Sequence, residues 1–137
     1  MLNACYFALP LMLCLPTIEA ATLTVTVEGA RSGGGPVTVL LFDHADGFPK
    51  ESRAARRHVL PDGQSTLALE DLEPGQYAVM AYHDEDGNGE LNRFLGMLPQ
   101  EGWGLSNNPA VSGKPAFKDA AVTLPESGTS LTLKLNY

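Results

Sequence analysis

The sequence predicts an all-β protein: a single Ig-like or prealbumin-like antiparallel β-sandwich of about seven strands, with one long ordered loop. Three observations carry this reading. Short runs alternate apolar and polar residues with period two, and turn-forming clusters separate them roughly every eight to twelve residues. No stretch repeats apolar residues at helical spacing. At 137 residues the chain is one domain's worth.

The front of the chain stands apart from that pattern. Residues 4–16 form an uncharged apolar run of signal-peptide length, too short to span a bilayer, and Ile18-Glu19-Ala20 offers a small residue for cleavage. The expected division is therefore a signal peptide over 1–20 and a mature domain over 21–137. Cys14 as a lipidation site is disfavoured by the bulky Leu13 before it. Both cysteines, Cys5 and Cys14, fall in the signal, so the mature domain has no thiol for a disulfide, a zinc site or a nucleophile.

Thr22 to Glu28 alternates, with Leu23, Val25 and Val27 aimed at a core. Gly33-Gly34-Gly35-Pro36 ends that strand, and because no Lys-Ser or Lys-Thr follows, it reads as a turn rather than a phosphate loop. Val37 to Asp43 is apolar almost throughout, as in a central strand. The basic run Arg53 to His58 reads as a solvated helical turn or an edge strand rather than an anion site. Ser65–Glu70 is a short strand, Pro74-Gly75 a tight turn, and Tyr77–His83 a strand that delivers the next segment from a rigid frame. Phe94–Leu98 pairs briefly. The stretch from Pro99 to Ala120 shows no period but holds Trp103 and Phe117, which argues for order and function. Ala121–Leu124, a turn at Pro125–Gly128, and an alternating Leu131–Tyr137 strand close the domain.

Composition narrows the partners. Without Glu19 the mature domain keeps nine basic and fifteen acidic residues, a net charge of -6. Nucleic acid and anionic membranes, both bound through basic surfaces, are thereby poor partners. A periplasmic or secreted location is expected, where the partner would be a protein or polysaccharide of the cell envelope.

The chemistry concentrates in His83-Asp84-Glu85-Asp86-Gly87-Asn88-Gly89-Glu90-Leu91-Asn92. Counting from Asp84, oxygen-bearing side chains stand at positions 1, 3 and 5, glycine at 6, Glu90 at 7 and Asn92 at 9. Calcium needs this spacing, because it takes six to eight oxygens at about 2.3–2.6 Å from alternate residues of a curled loop. The Glu that closes an EF-hand at position 12 is replaced by Leu95, and the flanks read as strands, so Glu101 is the candidate for a ligand from outside the loop. The predicted metal set is Asp84, Asp86, Asn88, Glu90, Asn92 and Glu101, with Ca²⁺ as the ion. Asp, Asn and Gly are also the commonest turn formers, but a plain turn gives no reason for three adjacent acids.

Leu72-x-Pro74-Gly75-x-Tyr77-Ala78-Val79, His83-Asp84-x-Asp86-Gly87-Asn88-Gly89-x-Leu91, Gly96-x-x-Pro99-x-Glu101-Gly102-Trp103-Gly104-x-Ser106-Asn107 and Gly113-x-Pro115-x-Phe117-x-Asp119-Ala120 occur in that order. Together they resemble DUF2141, a bacterial secreted family of unassigned function. The resemblance implies a transthyretin-like or carboxypeptidase-regulatory-like sandwich and supplies no catalytic residues. Asp86 stands where Asn is at least as common in that family. The reading is a non-catalytic, Ca²⁺-binding module acting as a binding or structural domain of the envelope. One alternative is a carbohydrate- or protein-binding domain using Trp103 and neighbouring amides without metal. Another is a hydrolase built on His83 and Ser106, for which no nucleophile elbow or zinc-binding His pair is present.

Overall fold

The structure, a computed structural model, describes residues 20–31, 35–84, 102–109 and 115–137, with the backbone alone at 93–94 and 98–99. Two packed sheets form the predicted sandwich. One holds β1 (Ala21–Glu28), β4 (Thr66–Leu72) and β10 (Thr129–Lys134) in the order β10-β1-β4. The other runs β3-β2-β5-β8, from β2 (Val37–Phe42), β3 (Arg56–Leu60), β5 (Gly75–His83) and β8 (Trp103–Leu105). β9 (Val122–Leu124) pairs with the start of β5. Two-residue strands β6 (Arg93–Phe94) and β7 (Leu98–Pro99) pair as a small hairpin, which is the brief pairing the sequence predicts there. All pairings are antiparallel except β1 with β10, which is parallel.

Period two explains the main core. Leu23, Val25 and Val27 of β1 meet Val37, Val39 and Leu41 of β2, Val79 and Ala81 of β5, and Leu133 of β10 between the sheets. The same alternation puts Leu40, Phe42, Ala78, Met80 and Tyr82 on the outer face of the second sheet. That face is also covered. Phe48, from the connection that includes a 3₁₀ turn at Glu51–Arg53, stacks edge-on against Phe42 at 4.9 Å and Phe117 at 5.8 Å. Phe117 opens a one-turn helix, α1 (Phe117–Ala120), whose Ala120 is buried. A sheet covered on both faces needs continuous apolar runs, and β2 and β5 have them.

Some boundaries differ from the sequence reading. β5 begins at Gly75, which pairs with Leu124 instead of standing in a turn, and the last strand spans Thr129–Lys134 rather than 131–137. The stretch without a period contains β8 and α1. The basic run divides between the 3₁₀ turn, which holds Arg53, and the edge strand β3, whose Arg56 and Arg57 are bonded within the domain. Arg56 donates to the Glu70 and Asp71 carbonyls of β4, Arg57 donates to Glu51, and the Arg53 stem lies where a Cβ on Gly47 would sit.

Candidate functional site

One pole of the sandwich gathers the ends of β1, β5 and β10 and the starts of β2 and β8. At its centre is His83, the last residue of β5, with no exposed surface. Its Nε2 lies 3.0 Å from the Gly35 carbonyl, which only accepts, so Nε2 carries a proton and donates there. Nδ1 is hydrogen-bonded to the Tyr137 hydroxyl at 2.7 Å, and the Tyr137 oxygen accepts the Arg31 backbone N–H at 3.1 Å. The Arg31 guanidinium sits 3.8 Å above the Tyr137 ring, a cation–π contact. Another neighbour of that ring is Gly102, where an added Cβ would collide with it. Glycine there leaves room for the Tyr137 ring, which a larger residue would displace.

Asp84 follows at once. It is 4 % exposed, and its N–H donates to the Pro36 carbonyl at 2.9 Å. The first acid of the predicted calcium loop is therefore held inside the end of the sandwich. The His83 N–H donates to the Gly102 carbonyl at 2.7 Å, which continues the β5–β8 pairing up to this point. Asp86, Asn88, Glu90, Asn92 and Glu101 lie outside the described residues. Among the described residues no group of three or more His, Cys, Asp and Glu is close enough to hold an ion.

The structure does not bring His83 and Ser106 together. Ser106 faces Val79, taking the Val79 N–H at 2.9 Å on Oγ and giving its own N–H to the Val79 carbonyl at 2.8 Å. Val79 is four residues from His83 along β5, roughly 13 Å at a rise of about 3.3 Å per residue. The Ser106 hydroxyl proton goes to the Ala120 carbonyl, which ties β8 to α1. A buried hydroxyl committed to two backbone groups is a structural joint. His44, elsewhere, pairs with Asp43 at the surface.

The amides near Trp103 are also structural. Asn107 and Asn108 both take left-handed backbone, with φ 66° and 44°, a conformation Asn tolerates better than most residues. Asn107 Nδ2 donates to the Ala121 carbonyl at 2.7 Å. Asn108 donates to the Thr132 carbonyl at 3.2 Å and accepts the Lys134 N–H at 2.8 Å, so its side chain pairs with β10 as a strand would. Trp103 is half-buried against the outer core, and its backbone exchanges both hydrogen bonds with Asn136, at 3.0 and 2.8 Å. Sequence reasoning missed Arg31 and Tyr137. Tyr137 contacts both Arg31 and His83, linking distant parts of the chain, and no local pattern marks these contacts.

A family model described as "Uncharacterized protein conserved in bacteria (DUF2141)" matches residues 25–132, from within β1 to within β10. The chain belongs to the DUF2141 family. No curated protein and no solved structure matches it. The matched span of this DUF2141 domain includes both sheets, the acidic loop and Trp103. No helix among the described residues is long and apolar enough to cross a membrane.

Proposed function

We propose that this DUF2141 domain is a non-catalytic binding or structural module of the cell envelope or its exterior, periplasmic or secreted, that takes up Ca²⁺ in the loop beginning at Asp84. The observation that supports this reading best is the placement of Asp84. A carboxylate buried at the end of a core strand is held in position before any ligand arrives, and such preorganisation favours binding. Glu101 is covalently joined to Gly102, whose carbonyl accepts from His83. Glu101, next to Gly102 in the sequence, is the residue we assign to the role of the absent position-12 ligand. The hydrolase alternative loses support, because Ser106 is committed to the backbone of Val79 and Ala120.

Thermal melts and calorimetric titration of the mature domain test the proposal. Millimolar Ca²⁺ should raise Tm relative to chelator, since a ligand that binds only the folded state stabilises by RT ln(1 + [L]/Kd), about 2.7 kcal/mol at a hundredfold excess over Kd. Mg²⁺ should act more weakly, because it holds its waters and demands a strict octahedron. Changing Asp84 and Asp86 together to Asn should remove the Ca²⁺ response and leave a folded domain, and Glu101→Gln should weaken Ca²⁺ binding more than Glu126→Gln. Identical melts in chelator and in Ca²⁺ would sink the cation reading.

A further inference from the structure

The seam between β8 and β10 carries a groove of about 640 Å³, within the range of roughly 300–1,000 Å³ usual for small-molecule sites. Trp103, Asn108, Pro109, Glu28, Lys134 and Asn136 are among the residues that line it. We infer that this groove is a glycan-binding site that takes a short, uncharged oligosaccharide.

The first argument is rigidity. The paired backbone bonds between Trp103 and Asn136, the double anchor of Asn108 on β10, and the close passage of Gly104 over Lys134 fix the groove on both sides. A preformed site pays little ordering entropy when ligand enters, which matters most for weakly held, well-hydrated ligands such as sugars. The second argument is charge. Glu28 and Lys134 are direct cross-strand partners on the exposed face of β1 and β10. Side by side their charges offset, so the groove does not select an anion or a cation, while the carboxylate accepts and the ammonium donates hydrogen bonds to hydroxyls. Trp103 adds an aromatic body, half-buried and held by the outer core, beside these polar groups. A polyhydroxyl ligand with an apolar ring face matches that combination.

An extended peptide matches it less well. Strand addition needs open backbone groups on an edge, and here the Thr132 carbonyl and Lys134 N–H are taken by Asn108 and the Lys134 carbonyl by Asn136. None of the residues lining the groove belongs to the proposed cation loop or is Glu101.

The test titrates the full mature domain with cello-, chito- and malto-oligosaccharides, by calorimetry and by emission of the single tryptophan, in Ca²⁺ and again in EGTA. At least one series should bind saturably and shift Trp103 emission, to the same extent in both buffers. Glu28→Gln and Lys134→Met, both at exposed positions that leave the core intact, should each weaken binding roughly tenfold, as loss of one hydrogen bond to a charged group does. Thr66→Ala, on β4 at the far edge of the same sheet, should change nothing. Absence of saturable binding by all three series, or binding unchanged in both groove variants, overturns the inference. Binding that disappears in EGTA would place the glycan at the cation and overturn the groove assignment, whereas a failed cation reading with glycan binding intact would leave it standing.

Discussion

Tyr82 shows how a single buried polar group ties this fold together. It has no exposed surface, yet its hydroxyl donates to Glu51 Oε1 at 2.9 Å, the same oxygen that receives Arg57 Nε at 2.9 Å. One carboxylate from the 3₁₀ turn thus joins β3 and β5. Burial first, and then the neighbouring Glu51 carboxylate, push the Tyr82 phenol up to about 12, against an opposing hydrogen bond from Thr38. The folded state therefore holds this proton more tightly than the unfolded chain, whose phenol titrates near 10. The stabilisation is complete below pH 10 and disappears as pH rises through 12. In that window the free energy of unfolding should fall with pH by up to about 1.4 kcal/mol per unit from this one group. Tyr82→Phe should flatten the decline and cost about 0.5–1.5 kcal/mol near neutrality. Urea unfolding at pH 7, 10 and 11.5 decides the matter, and equal slopes for both proteins would show that Tyr82 is not responsible.

Among the described elements, β8 contains a glycine that its packing requires. A Cβ at Gly104 would come within 2.2 Å of the Lys134 carbonyl oxygen and 2.9 Å of its carbon, which are backbone atoms with no freedom to rotate away. Gly104→Ala must part β8 from β10 and strain the Trp103–Asn136 bridge. Overpacking of this kind costs about 1–3 kcal/mol, and the Trp103 emission maximum should move with it. An unchanged unfolding midpoint would mean that the seam is softer than its geometry implies. The same residue explains why β8 was not legible in the sequence. Trp103-Gly104-Leu105 is too short to show a period, and a glycine between turn-rich neighbours reads as loop. Here glycine serves close approach within a strand. By contrast, β1 was legible because its inward residues recur at every second position, and β2 and β5 because they are nearly continuous apolar runs. In the site, Asp84 was visible from its spacing within the acidic run. The Tyr137 and Arg31 contacts were not visible, because they join residues 54 and 106 positions apart through tertiary packing alone.

At the scale of the whole molecule, a two-sheet sandwich has two open sides, and each exposes strand edges that could pair with another copy. This chain closes each side with a side chain that bonds to backbone across the gap. On one side Arg56 of β3 reaches the Glu70 and Asp71 carbonyls of β4, at 2.5 and 3.1 Å. On the other, Asn108 occupies the Thr132 carbonyl and the Lys134 N–H of β10. The two devices act on opposite edges of the same three-stranded sheet, whose order is β10-β1-β4. Removing either one frees part of an edge, and removing both leaves the sheet able to pair at each end, the arrangement that permits open-ended growth rather than a closed dimer. Arg56→Ala and Asn108→Ala should each increase concentration-dependent self-association in sedimentation velocity, and the double variant should form species larger than a dimer. The core residues are untouched, so far-ultraviolet circular dichroism of the dilute variants should keep the β signature of the parent. A double variant that sediments like the parent across a hundredfold range of concentration would show that the short edges and the net negative charge, not these two side chains, keep the sheets apart.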